Sequence, residues 1–418
     1  MMLDKDDSLY FSSIIFNRYQ DKFWNNLYSE APKGGKFFID LARRINPCRF
    51  VTRNGEWSLP WNQEIPIGFE MPEYDPEFSL SFSEVTDRRA GEIKSLINDR
   101  GQKFAVMYSG GIDSTLILCS LIKNLTDEEL KNVAVCTSSH AIIENPNFFL
   151  NFVKDKFTII DSNTHKYDDL IERSYRPITA DEGDCIFGTV LGLSLYNNYD
   201  YLVSGLSEDS KRNLESIKNR FTDDSVHYSQ YKDVIIKHFS VDTDTKFGEK
   251  FYEKFERNIQ TATVPVYSLH DYFWWMIFNI KYLNCSVRGA IYFNDRIHCK
   301  EAINDWIINW FNGQEYQLWS MANNNNGEKI GLTASTYKMA AREYIYDIDR
   351  NPWYFNFKIK LESLGGSVVV SQKLDHLPVE RRPNARFGLD KDYNVLFIDD
   401  EDVQRYIIKN ILKYRKEF

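Results

Sequence analysis

Phe104-Ala105-Val106-Met107-Tyr108-Ser109-Gly110-Gly111-Ile112-Asp113-Ser114-Thr115, followed by Leu116-Ile117-Leu118-Cys119-Ser120-Leu121-Ile122, is the stretch that decides the fold. The run Phe104 to Tyr108 is short, apolar and preceded by Asp99-Arg100-Gly101-Gln102, so it reads as a buried strand. After Gly111 the apolar residues recur at Leu116, Cys119, Ile122 and Leu125, which is helical spacing. The unit is strand, glycine turn, helix. Two glycines let the backbone turn sharply with positive φ, and the helix start leaves unpaired N–H groups facing open space beyond the strand's carboxyl end. Ser109, Ser114 and Thr115 add hydroxyl donors and the helix dipole favours negative charge, so a phosphate or pyrophosphate is the expected occupant. Asp113 does not fit a bare anion site. A carboxylate is tolerable there when Mg²⁺ sits between it and the phosphates, which points to a nucleotide–metal complex. A Walker-type loop is excluded, because no Lys follows the glycines at the required spacing.

The run from Ser109 to Thr115 resembles the pyrophosphate loop, Ser-Gly-Gly-x-Asp-Ser-Ser/Thr, of the ATP pyrophosphatase superfamily. Members include asparagine synthetase, GMP synthetase, NAD synthetase, argininosuccinate synthetase, the deazaguanine nitrile synthases and tRNA thiolation enzymes. The resemblance implies an adenine nucleotide alpha-hydrolase-like fold: α/β, with a doubly wound, mostly parallel sheet and a helical C-terminal part. It also implies cleavage of ATP between the α- and β-phosphates, giving AMP and pyrophosphate through an adenylated substrate. Ser109, Gly110, Gly111, Asp113, Ser114 and Thr115 would then bind the nucleotide, with Asp113 also holding Mg²⁺.

The chain has 418 residues, enough for two or three domains, and a formal net charge of −9, which argues against a polyanionic partner such as tRNA. No basic segment followed by an apolar one opens the sequence, and no uninterrupted apolar stretch reaches ~18 residues, so neither a secretion signal nor a membrane span is expected. A cytoplasmic location follows as the expectation. The six cysteines, Cys48, Cys119, Cys136, Cys185, Cys285 and Cys299, contain no C-x-x-C pair, unlike relatives that cluster cysteines on zinc or use them for thiolation. Cys119 and Cys136 lie on apolar segments and read as core residues. Cys185 is the one thiol with a catalytic reading, and a buried small residue is the simpler one.

Residues 1–82 are expected to form a reduced α+β domain and linker. They offer an apolar helix face (Phe11, Ile14, Ile15, Phe16, Tyr19, Phe23), a hairpin about Asn54-Gly55, and an extended aromatic stretch from Pro66 to Phe78. A capped amphipathic helix from Ser83 to Ile97 leads into the loop strand. This order is similar to the junction of glutaminase and synthetase domains in asparagine synthetase. A glutaminase of that type needs an N-terminal cysteine, whereas the sequence opens Met1-Met2-Leu3-Asp4, so glutaminase activity is not expected.

Beyond the loop the pattern alternates as a doubly wound sheet would: strands at Val133–Cys136, Phe157–Ile160 and Tyr201–Ser204, with helices around Asn147–Lys156, Tyr167–Tyr175 and Cys185–Asn197. Gly205-Leu206-Ser207-Glu208-Asp209 matches the Gly-x-x-x-Asp shape of the family's second nucleotide motif. Carried over, Gly205 would allow close backbone approach and Asp209 would hold Mg²⁺, both at the carboxyl edge of the sheet. An acidic helix N-cap is the competing reading. Tyr272 to Tyr282 is a heavily aromatic helix of core type. Ser286 to Asn294 is similar to the family's Ser-Val-Glu-x-Arg-x-Pro-Phe-Leu-Asp, with Arg288 where a Glu belongs, and Phe311 to Met321 is the other counterpart of its end. Thr336 to Ile345 resembles the family's Lys-x-x-Leu-Arg-x-Ala helix; the role carried to Lys338 is catalytic, stabilising charge at the α-phosphate. A surface helix with Lys338 and Arg342 four apart is the bland alternative.

The family match spans residues 83–347, and residues 348–418 are expected to be a small appendix with a strand at Ser367–Val370 and a final helix from Glu401 to Tyr414. The expected activity is an AMP-forming carbon–nitrogen ligase that adenylates a small carboxylate and transfers it to an amine or ammonia, the latter free or from a separate amidotransferase subunit. Two other classes stay open: a nucleotide- or tRNA-modifying enzyme, which a basic groove beside the loop and an exposed Cys185 would favour, and a non-catalytic nucleotide-binding protein.

Overall fold

The computed structural model describes residues 53, 71–137, 139–162, 170, 172–188, 195–196, 198–240, 245–281, 307–322 and 338–357. The expected N-terminal helix, the Asn54-Gly55 hairpin, the Ser286–Asn294 motif, and the strand and helix of the tail lie outside them. The chain divides into two compact units. One comprises Ser81–Asp181, Trp306–Trp310 and Lys338–Phe418, and the other Met1–Leu80, Glu182–Asp305 and Phe311–Tyr337.

The first unit holds a five-stranded, wholly parallel sheet in the order β3-β2-β1-β4-β5, an α/β architecture. Its strands are β1 (Lys103–Tyr108), β2 (Val133–Thr137), β3 (Thr158–Asp161), β4 (Tyr175–Thr179) and β5 (Ile308–Asn309). Chain order runs outward from β1 in one direction and then resumes on its other side at β4, so the order reverses between β1 and β4. In open α/β sheets that reversal opens a crevice at the carboxyl ends of the strands. All five residues of β2 are buried, as continuous apolar strands covered on both faces require.

Two expectations fail here. Tyr201–Ser204 is the end of a helix, Tyr199–Ser204, burying Tyr199, Leu202 and Val203 at helical spacing. The strand beside β1 is instead β4, in a segment where no strand was expected; of the helix expected around Tyr167–Tyr175, Leu170 and Glu172 are helical while Tyr175 opens β4, and Pro177 pairs with Ala105 inside the sheet. Consequently Gly205 follows a helix and does not end a strand.

Helix α1 (Phe82–Arg100) begins at Ser81, which forms a reciprocal capping box with Glu84. It packs on α2 (Ile112–Asn124), the helix that follows β1. Two further elements matter to the loop: α3 (Ser139–Glu144), after β2, and α4 (Met339–Asp349), which packs on α2. Asp87 of α1 accepts hydrogen bonds from Lys123 and Asn124 of α2 and from Tyr344 of α4, tying the three helices together. Arg89 donates to the carbonyls of Asn309 and Trp310, both at 3.1 Å, and so anchors the short β5. Past α4, the short helix α5 (Pro352–Phe357) belongs to the same unit, and Arg342 of α4 donates to its Phe355 carbonyl at 2.6 Å.

The second unit is helical among its described residues. The segment Leu269–Met276 carries the aromatic helix, with Tyr272, Phe273, Trp274, Trp275 and Met276 wholly buried, which makes it core as its composition suggests. Each indole N–H finds an acceptor: Trp274 on Ser320 Oγ at 3.0 Å and Trp275 on Asn258 Oδ1 at 3.1 Å.

Candidate functional site

β1 ends at Tyr108, and the chain turns through exposed Ser109 into Gly110 at φ 70°. Only Gly110 takes the positive φ expected of both glycines; Gly111 is extended, φ −72° and ψ 163°, and caps α2. Gly110 is constrained twice. Besides its backbone conformation, a Cβ built there would lie 2.0 Å from the Ala141 carbonyl oxygen and 2.7 Å from Glu144 Cβ, so α3 seals the back of the turn. A glycine at the N-cap offers no side-chain oxygen to the helix start. The first intrahelical bond runs from Thr115 N–H to Gly111 O, 2.9 Å, and the N–H groups of Ile112, Asp113 and Ser114 find no acceptor among the described residues. Unpaired N–H groups at a helix start can bind an anion.

The hydroxyls divide by position. Ser109 is exposed at the rim. Ser114 is buried, and its Oγ accepts the Ser109 N–H at 3.1 Å, lies 3.1 Å from Ser109 Oγ and donates to Gly111 O at 3.2 Å, closing the turn on itself. Thr115 is fully buried with its hydroxyl 3.2 Å from that of Tyr354, so it faces the interior and not the open side of the loop.

Asp113 and Lys338 meet although 225 positions separate them: Lys338 Nζ lies 2.6 and 2.5 Å from the two carboxylate oxygens. Lys338 is 3% exposed and Asp113 24%, and Arg342 is buried as well, so the reading of Lys338 and Arg342 as surface residues does not hold. Burial lowers the Arg342 guanidinium below its ordinary range. Lys338 caps α4 in the left-handed region, φ 57° and ψ 41°, a conformation that costs a non-glycine residue ~1 kcal/mol. From that cap its ammonium meets Asp113 in the first turn of α2.

Gly205 and Asp209 belong to the other compact unit. Asp209 stands in the first turn of the helix Glu208–Ser216, capped by Ser207, and pairs with Arg212 at 2.5 Å on the exposed surface. The space a Gly205 side chain would fill is taken by the Lys237 ammonium, 1.7 Å from an ideal Cβ. Among the described residues, no group of three or more His, Cys, Asp or Glu side chains could hold a metal. Cys119, Cys136 and Cys185 are all buried, and none of the three forms a disulfide. Burial pushes the Cys136 thiol up to about 12 and Cys119 well above its ordinary value.

Sequence reasoning missed Tyr354, which donates to the Gly110 carbonyl at 3.0 Å while lying 3.2 Å from Thr115 Oγ1. Nothing in Pro352-Trp353-Tyr354 marks it as a loop residue. Compared with known proteins, the chain matches no family model, no curated protein and no solved structure.

Proposed function

We propose that the chain is an ATP-dependent, AMP-forming ligase that adenylates a small carboxylate and transfers it to an amine or ammonia. The observation that carries the reading is the meeting of Asp113 with Lys338 at the start of α2. The resemblance names both residues for one reaction centre, and they come from segments far apart in the sequence. The unpaired N–H groups of Ile112, Asp113 and Ser114 suit the β- and γ-phosphates. Asp113, an oxygen donor one-quarter exposed beside that anion site, suits Mg²⁺, which when bound supplies neutralising charge for the departing pyrophosphate. Lys338, beside that carboxylate, would offer its ammonium to the α-phosphate as negative charge develops there.

Of the two marks that would favour a nucleotide- or tRNA-modifying enzyme, an exposed Cys185 is not found: Cys185 is wholly buried. A non-catalytic nucleotide-binding protein is the second reading, and the place of Asp209 favours it: that carboxylate is on a helix surface paired with Arg212. A pyrophosphate-release screen over amino acids, peptides, nucleosides and tRNA, with and without ammonia, tests the first reading against the second. ATP-dependent release that disappears in Asp113→Ala supports the ligase; nucleotide binding with no release for any substrate favours the second.

A further inference from the structure

We propose that Tyr354 is a positioning residue of the loop: its hydroxyl holds the Gly110 carbonyl inward and so turns the Gly111 N–H outward, toward a bound phosphate. The inference rests on the anion-site reading of the loop. In a trans peptide the C=O and the following N–H point in opposite directions, so fixing one fixes the other. Between two glycines no Cβ restrains that plane, and a flip would aim the Gly110 carbonyl oxygen into the anion site while withdrawing a donor. The Tyr354 hydroxyl donates to Gly110 O at 3.0 Å. Its single proton is thereby used, so at 3.2 Å Thr115 Oγ1 is the donor to the Tyr354 oxygen. The chain of bonds runs from Thr115 to Tyr354 to Gly110, wholly buried.

On the opposite side of the same peptide, Gly111 N–H faces the exposed Ser109 Oγ at 3.4 Å, a long bond that a phosphate oxygen can replace. The phenol keeps its proton: burial pushes its ionisation well above the usual tyrosine range. Arg342 fixes α5 through the Phe355 carbonyl, so the segment that places Tyr354 is attached to the helix that Lys338 begins.

The test uses the full chain with Tyr354→Phe, Thr115→Val and the two together. Inorganic pyrophosphate with Mg²⁺ is titrated well below the melting temperature, and the Gly111 amide is followed in ligand-free protein labelled with ¹⁵N-glycine. Tyr354→Phe should weaken pyrophosphate binding roughly five- to tenfold, the scale of one or two hydrogen bonds. Thr115→Val should have a smaller effect in the same direction, and the Tyr354→Phe/Thr115→Val pair should be no worse than Tyr354→Phe alone. The Gly111 signal should shift and broaden in Tyr354→Phe. Unaltered affinity in Tyr354→Phe, even with a lowered melting temperature, would overturn the proposal, because a merely structural tyrosine moves stability alone. Failure of the unaltered chain to bind pyrophosphate or Mg·ATP would overturn the nucleotide reading, and the Gly111 signal alone would then decide the role of Tyr354: unchanged, it overturns that role too.

Discussion

Removing Asp113 should cost more stability than removing Lys338, although both changes break the same ion pair. The two partners differ in burial, 24% exposed for Asp113 and 3% for Lys338. Asp113→Ala leaves a buried ammonium deprived of the carboxylate that embraced it at 2.6 and 2.5 Å. Breaking a buried pair from that side costs ~3 kcal/mol. Lys338→Met keeps most of the buried stem and strands a carboxylate that water still reaches. That carboxylate also lies in the first turn of α2, where the helix dipole returns ~0.5 kcal/mol, so the net loss is ~1 kcal/mol. Urea unfolding of both single variants and of the pair measures the asymmetry, and the double variant should recover ~1 to 2 kcal/mol as coupling energy. Equal losses, or a Lys338→Met chain less stable than Asp113→Ala, would refute the reasoning, because the buried ammonium would then not depend on Asp113.

Gly110→Ala forces a Cβ into the Ala141 carbonyl at an unfavourable φ and should cost ~3 kcal/mol or more, whereas Gly205→Ala meets only the movable end of Lys237 and should cost under ~1 kcal/mol; equal melting temperatures would contradict this. Lys338→Gly should be ~1 kcal/mol more stable than Lys338→Ala, since glycine takes the left-handed cap without strain, and the reverse order in urea unfolding would remove that strain from the account. Asp349 closes α4 with a carboxylate whose Oδ2 has no hydrogen-bond partner among the described residues, and burial raises its pKa above the ordinary 3.8. The folded chain therefore binds that proton more tightly than the unfolded chain, so stability falls as pH rises from about 3.8 through the raised value. Asp349→Asn should consequently be more stable at pH 7 by ~0.5 kcal/mol, the scale of a misplaced charge at a helix end, and the advantage should vanish toward pH 3. An advantage independent of pH would show that the charge is not its cause.

The loop and the strands on one side of it were legible because their signals are local. β1, β2 and β3 are apolar runs of the length that buried parallel strands need, and the change of period after Gly111 marks α2. β4 was not legible, because Tyr175-Arg176-Pro177-Ile178-Thr179 carries a charge and a proline in a central strand, a position prolines seldom occupy. Tyr201–Ser204 misled for a different reason. Three apolar or aromatic residues and a serine before a glycine fit a strand as well as a helix end, and burial at Tyr199, Leu202 and Val203 selects the helix. β5, two residues long, leaves no periodic trace. At the site, residue type and position singled out Asp113 and the family resemblance singled out Lys338, but their contact, the left-handed backbone of Lys338 and the inward hydroxyl of Thr115 depend on tertiary packing. The bond from Tyr354 to Gly110 spans 244 positions, and no local pattern encodes it.

The site of cleavage in ATP tests the central claim most directly. The helix start of α2 would hold the β- and γ-phosphates while Lys338 faces the α-phosphate, so the bond that breaks joins the α- and β-phosphates. Purified chain incubated with Mg²⁺, ammonia, a carboxylate panel and ATP labelled in the α-phosphate should convert the label to AMP, with an equal amount of pyrophosphate. Label recovered in ADP with release of orthophosphate, or an unaltered chain that fails to bind Mg·ATP, would contradict the account.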